Sequence, residues 1–128
     1  MSYLLTRLIP SFALFICVIG SALAQVKTQS ISFETSPSPH LKDGVKVSGK
    51  LNLPESVGKF SAVLILHSRA GIDGTGIFYA EALNRAGIAT LEIQMFQAAA
   101  QMPRDSRETL PHAFGALKFS AENPALDA

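Results

Sequence analysis

Hydrophobic and polar residues along the chain follow patterns that are typical of strands. In residues 45–53 apolar positions alternate with polar ones, and a period of two predicts a strand with one buried face. Residues 62–66 are a continuous apolar run, typical of a strand covered on both faces. Residues 31–33 predict a short edge strand and residues 88–93 a further strand. The pattern therefore predicts a sheet of about four strands.

Two apolar stripes at helical spacing predict two helices. The first stripe consists of Phe78, Ala82, Leu83 and Ala86, and Gly87 is well placed to end this helix. The second stripe consists of Leu110, Phe114, Leu117 and Ala121. Its helix is predicted to begin near Thr109 and to stop at Asn123. We expect both stripes to face the core. Residues 94–107 have no clear periodicity and predict a long loop.

Residues 1–24 have the pattern of a secretory signal peptide. Arg7 is followed by an apolar stretch, and Ala22 and Ala24 give the small-residue pattern of a cleavage site. An uncleaved membrane anchor is the alternative, but the stretch is short for a span and contains Pro10. We therefore expect an exported protein, periplasmic or secreted, that is cleaved near Ala24 and has no stable membrane anchor.

Composition narrows the classes of function for the remaining domain, residues 25–128. The chain has 11 basic and 10 acidic residues and no basic run, which argues against nucleic acid or an anionic surface as a partner. Its single cysteine, Cys17, lies in the apolar stretch after an isoleucine, so neither a lipid anchor nor a disulfide is expected. His40 and His112 lack partners at metal-ligand spacing, and no metal site is predicted.

The candidate chemistry lies in residues 60–76. An apolar strand passes into a glycine-punctuated loop and then into a helix, which is the first half of a βαβ unit in an α/β fold. Sites in such sheets lie at the carboxyl ends of the strands, where His67 and Ser68 fall. The glycines match neither a dinucleotide-binding nor a phosphate-binding loop. Ser68, His67 and Asp73 have the residue types of a triad, but adjacent residues at a strand end point apart, so no local triad is expected.

Four segments in a fixed order then suggest a family. They are Ala62-Val-Leu-Ile-Leu-His67-Ser-Arg-Ala-Gly71, Phe78-Tyr-Ala-Glu-Ala-Leu83, Ala86-Gly-Ile-Ala-Thr-Leu91 and Leu110-Pro-His-Ala-Phe114. Together they resemble the dienelactone hydrolase family of the α/β-hydrolase fold, over about residues 45–127. The resemblance implies the amino-terminal half of an α/β-hydrolase sheet, an incomplete three-layer sandwich with about four strands and two helices.

The resemblance also implies an activity, the hydrolysis of an ester or lactone bond in a small molecule by a nucleophile, a histidine and an acid, without a cofactor. The chain contains no Gly-x-Ser-x-Gly or Gly-x-Cys-x-Gly motif, so the triad is expected beyond it and the fragment itself is expected to be inactive. In this family the loop after the third strand supplies an oxyanion-hole N–H, and the backbone amides of Ser68 and Arg69 are the candidates. His67 and Gly71 belong to the same substrate loop. The alternative is a short, non-catalytic secreted binding protein or the product of a decaying gene.

Two interpretations are open for each side chain around this loop. His67 either touches substrate or holds the loop by hydrogen bonds, and the second is favoured. Arg69 either steers an anionic substrate or is a solvated loop residue, and Glu92 pairs with it either beneath the site or as an ordinary ion pair. Because the missing neighbour strand would lie beside residues 62–66, we also expect an open, apolar, uncharged edge and an insoluble or partly folded fragment.

Overall fold

The computed structural model describes residues 26–39, 43–68, 71–96 and 106–127, which form a mixed five-stranded sheet and two helices, an α/β arrangement. In chain order the elements are β1 (Val26–Glu34), β2 (Lys46–Pro54), β3 (Phe60–Leu66), α1 (Gly74–Arg85), β4 (Ala89–Gln94), a 3-10 turn (Ser106–Glu108), α2 (Leu110–Glu122) and β5 (Leu126–Asp127). No helix in these ranges is long and apolar enough to span a bilayer. The predicted signal peptide and most of the predicted long loop lie outside the described residues.

The strands lie in the order β1-β2-β4-β3-β5. β1 pairs antiparallel with β2 along its whole length, and β2 pairs antiparallel with β4. β4 and β5 flank β3, and both run parallel to it. The strand predicted from the alternation in residues 45–53 is confirmed as β2, and the predicted edge strand lies in the second half of the longer β1.

The hydrophobic core lies on the sheet face that α2 covers. Alternate residues of β2 and β4 face it, because successive side chains of a strand point to opposite sides. The most deeply buried members of the core are Val47, Leu51, Ala89, Leu91, Ile93 and Ala116. Gly115 lets α2 approach β1 closely, since a β carbon there would lie 2.8 Å from the Phe33 ring. The face towards α2 is therefore apolar and tightly packed.

The opposite face, towards α1, carries polar residues of β1, β2 and β4, together with Val63 and Ile65 of β3. Thr90 and Glu92 of β4 point to it, and both are buried. The Thr28 hydroxyl donates to Asn52 Oδ1 (2.7 Å), and Asn52 Nδ2 donates to Thr90 Oγ1 (3.2 Å). Side chains from β1, β2 and β4 are thus joined in one hydrogen-bonded row, which satisfies polar groups that burial would otherwise penalise.

The predicted core stripe of α1 is wrong. The buried residues of this helix are Gly76, Ala80 and Asn84. Phe78 is 64% exposed, and of the predicted stripe only Leu83 is even half-buried. Residues two apart on a helix differ in direction by about 200°, so α1 presents the side opposite to the predicted one. Small residues on that side allow the helix to lie close to the polar sheet face.

The predicted core stripe of α2 is wrong in the same way. Its buried residues are His112, Ala116 and Ser120. Leu110, Phe114 and Leu117 are 49%, 65% and 52% exposed. The Ser120 hydroxyl donates to the Ala116 carbonyl (2.9 Å), so this polar side chain is satisfied within its own helix. The most deeply buried residues of both helices are therefore small or polar, while of the large apolar residues of α2 only Phe119 packs partly against the core, where it stacks on Phe33.

β3 is not covered on both faces, contrary to the prediction. Val63 is 39% exposed and Leu66 is 47% exposed. β5 pairs only with Phe60 and Ser61, so within the described ranges residues 62–66 have no strand partner on that side. β3 also contains no charged residue. The predicted open and apolar edge is therefore present in the structure.

Candidate active site

His67 ties the end of β3 to the end of β4. Its Nε2 accepts the backbone N–H of Met95 (2.9 Å), which assigns the ring proton to Nδ1. Nδ1 donates to the carbonyl oxygen of Ser68 (2.8 Å). The ring of Phe96 packs edge-on against the imidazole, with centroids 4.5 Å apart. Because backbone groups engage both ring nitrogens, this geometry favours a role of His67 in holding the loop.

The loop after His67 is closed by a tight turn. The Gly71 N–H donates to the Ser68 carbonyl (3.0 Å), the same oxygen that His67 contacts. Gly71 has a φ of 87°, a conformation that glycine adopts without the steric conflict of a β carbon. The structure thus brings His67, Ser68 and Gly71 together in one turn, and Arg69 lies outside the described residues.

The N-terminus of α1 lies beside this turn. Asp73 Oδ1 accepts the Thr75 N–H (2.9 Å) and caps the helix. The predicted stripe begins only at Phe78 and did not include this cap, although an aspartate just before a helix is a recognised start signal. The cap places the positive end of the helix next to the carboxyl end of β3.

Glu92 lies beneath the first turn of α1. The residue is only 5% exposed, and its Oε1 occupies the space that a β carbon at Gly76 would need. Within the described ranges the Glu92 carboxylate has no hydrogen-bond or ion-pair partner. The predicted pairing of Glu92 with Arg69 stays a prediction, since Arg69 is outside those ranges. The described residues therefore leave the hydrogen-bonding capacity of the carboxylate unused.

These elements surround a cavity of about 280 Å³ at the carboxyl end of β3. Its lining residues are Ile65, Leu66, His67, Ser68, Asp73, Thr75, Gly76, Tyr79 and Glu92. Two carboxylates and no lysine or arginine stand among them, so the described lining is acidic. Because backbone groups engage both ring nitrogens of His67, neither nitrogen is placed to act as a base for Ser68.

A larger cleft of about 540 Å³ lies elsewhere, between α2 and the segment that follows β1. Pro37, Leu110 and Phe114 make much of its wall apolar, and Glu34 and Lys118 also line it. Its described lining includes no histidine or cysteine, and it shares no described lining residue with the smaller cavity. We therefore place the candidate site at the smaller cavity, where the polar groups converge.

His112 is a buried histidine on the inner side of α2. Neither of its ring nitrogens has a hydrogen-bond partner in the described part of the chain. Burial lowers the pKa of His112 below its ordinary value of 6.5, because desolvation penalises the charged ring. Among the described residues, no three His, Cys, Asp or Glu side chains lie close enough together to hold a metal ion. Burial therefore favours the neutral form of His112.

The sequence matches no protein-family model and no curated protein. Solved structures do match. A hypothetical protein from Pseudomonas aeruginosa gives a TM-score of 0.65 at 16% identity, over 84% of this chain and 33% of its own. The esterase Est22 gives 0.63 at 17% identity, over 80% of this chain and 32% of its own. A protein named m3DLH gives a TM-score of 0.52 at 17% identity, over 79% of this chain and 46% of its own.

At these identities the likeness is one of fold alone. The chain spans about a third of the length of the first two of these structures. Its structural neighbours include an esterase, and its mixed sheet and two helices correspond to a part of that larger fold.

Proposed function

We propose that the chain is the amino-terminal part of an exported enzyme of the dienelactone hydrolase type, built on a three-layer α/β-hydrolase sandwich. The enzyme hydrolyses ester or lactone bonds of small molecules. Its nucleophile, histidine and acid lie beyond this chain, which alone is inactive. The observation that carries the proposal is β5, because Leu126 and Asp127 pair in parallel with the start of β3 directly after α2.

The position of β5 agrees with that of the nucleophile strand in the resembling family. A strand continued in the same register would run along residues 62–66, fill the open edge and end level with His67. In α/β-hydrolases the nucleophile sits on the sharp turn after that strand. A nucleophile on that turn would face the cavity lined by His67 and Ser68. The fold shared with an esterase supports this arrangement.

The loop after β3 would then serve as one half of the oxyanion hole. Acyl transfer needs N–H donors aimed at the oxygen that becomes negative, and such donors act best when they are already fixed in place. The Ser68 carbonyl is held by both His67 and Gly71, and a planar peptide unit with a fixed carbonyl has a fixed orientation. The backbone amides of Ser68 and Arg69 are the proposed donors, with His67 as a positioning residue.

The decisive experiment is to sequence the coding DNA beyond the codon for Ala128. We expect an in-frame strand followed by Gly-x-Ser-x-Gly or Gly-x-Cys-x-Gly. The protein with that continuation should be exported after cleavage near Ala24 and should hydrolyse p-nitrophenyl acetate. Its variant with alanine at the central serine or cysteine should not. A stop codon with no such segment in any frame would overturn the proposal and favour a short, non-catalytic binding protein or a decaying gene.

A further inference from the structure

The geometry points to the cavity beside His67 as a site for the ammonium group of a small ligand, with Glu92 as its counter-charge. The inference deepens the proposed function, on which it rests for the identity of the cavity as a substrate site. It narrows the substrates to esters or lactones that carry an amine. The evidence comes from the burial of Glu92, the charge of the cavity and the character of its walls.

The first observation is that Glu92 is buried and has no partner among the described residues. Only 5% of the residue is exposed, and in the described ranges its carboxylate takes part in no hydrogen bond or ion pair. Lys50 is its register partner on β2, but Lys50 is exposed and no ion pair joins the two. Burying a charge is costly unless it is paired and hydrogen-bonded. An ammonium group on a ligand would supply both the opposite charge and the hydrogen-bond donors for the carboxylate.

The second observation is the charge of the cavity. Glu92 and Asp73 both line it, and its described lining has no lysine or arginine. Asp73 already accepts the Thr75 N–H, so it adds negative potential and leaves Glu92 as the carboxylate with unused acceptors. An anionic ligand would meet repulsion from both groups, and a neutral ligand would bring no opposite charge to Glu92. A cation with N–H donors is the complement of this site.

The walls define the rest of the ligand. Ile65 and Leu66 provide apolar surface, and Tyr79 adds an aromatic ring, a group that attracts cations. A volume of about 280 Å³ limits the ligand to a compact molecule. An organic ammonium fits better than a metal ion, because no group of three ligating side chains is present among the described residues. The class is therefore a small amine with an apolar body.

Three probes of similar shape test this inference on the full chain: n-butylammonium, n-butanol and n-butyrate. Titrations at low micromolar protein concentration, followed by NMR, should give n-butylammonium an affinity about tenfold higher than n-butanol, as expected for one hydrogen bond to a charged acceptor. Butyrate should bind most weakly. Glu92→Gln should remove the preference for the amine. Glu55→Gln, which removes the same charge from an exposed turn, should keep it.

A second readout does not depend on a variant that folds. With ¹³C-labelled glutamate, the side-chain carboxyl resonance of Glu92 should shift with n-butylammonium and stay in place with n-butanol. Equal affinities for the amine and the alcohol, a preference for butyrate, or a Glu92 resonance that does not respond to the amine would each overturn the inference. None of these measurements requires catalysis. The outcome is therefore separate from that of the sequencing and hydrolysis experiments, and either proposal can fail alone.

Discussion

The Oε1 atom of Glu92 lies too close to Gly76 for residue 76 to carry a β carbon. The missing side chain of Gly76 thus leaves room for the Glu92 carboxylate between α1 and β4. Gly76 has no positive φ, and its requirement for glycine comes from this close approach alone. The contact sets the distance of the first helical turn from the sheet. It also keeps the carboxylate enclosed at the wall of the cavity.

Gly76→Ala should therefore destabilise the protein. The added methyl group forces the buried Glu92 side chain or the helix to move, which costs about 1–3 kcal/mol for overpacking. Gly74→Ala is the matched control, since a β carbon at Gly74 meets nothing within 4 Å. It should be neutral or stabilising by about 0.5 kcal/mol. Urea unfolding of both variants measures the difference, and equal stabilities would contradict the close approach.

His67→Phe should loosen the junction of β3 and β4. The change removes the acceptor of the Met95 N–H and the donor to the Ser68 carbonyl, and should lower the free energy of unfolding by about 1–2 kcal/mol. Hydrogen exchange of the Met95 amide should accelerate, while that of Leu91 in the middle of β4 should not. His67→Gln, which can still accept a hydrogen bond, should retain part of the protection. An unchanged Met95 amide in His67→Phe would show that the ring does not hold the loop.

Burial of His112 makes stability depend on pH. Desolvation lowers the pKa of His112 in the folded protein below its ordinary value of 6.5. At a pH between the lowered pKa and 6.5, the unfolded chain therefore binds a proton at His112 that the folded chain does not. The free energy of unfolding should therefore be highest above pH 6.5 and should fall as the pH drops below 6.5.

His112→Leu is the test of this dependence. It removes two buried nitrogens that have no partner among the described residues, and should raise the free energy of unfolding by about 1 kcal/mol. It should also flatten the decline seen in urea unfolding between pH 7.5 and pH 5.5. A decline of the same size in the variant would assign the pH dependence to other groups.

The strands could be predicted from the sequence, whereas the inner faces of the helices could not. Alternation at Val47, Leu51 and Leu53 reports directly which side of β2 is buried, because a strand has only two faces. A helix has a continuous range of faces, and the stripe through Phe78 assumed that large apolar residues point inwards. The structure instead turns Gly76 inwards, because the sheet beneath it carries polar side chains.

The site was predictable as a location and not as a set of contacts. The end of an apolar strand followed by glycines pointed to His67 and Ser68, which do line the cavity. The hydrogen bond from Met95 to His67 joins residues far apart in the sequence, and no local pattern reveals it. The approach of Glu92 to Gly76 likewise depends on how α1 crosses the sheet, which is a tertiary property.

The open edge of β3 predicts self-association, and a single charge can test it. Among the described strands, residues 62–66 have no partner on the side of β5, and their side chains are apolar, an arrangement that favours pairing with another strand. Val63→Lys places a charge on this edge, where its stem can stay on the apolar surface and its ammonium reach water. The variant should stay monomeric in sedimentation velocity at concentrations where the unaltered chain associates.

Val57→Lys is the matched control for that experiment. It adds the same charge at a fully exposed residue in the turn between β2 and β3, away from the edge, and should associate like the unaltered chain. If both variants were monomeric, net charge and not edge pairing would govern solubility. If the unaltered chain were a soluble monomer with a sharp thermal transition, the edge would not control association, and the case for a missing neighbour strand would lose its physical support.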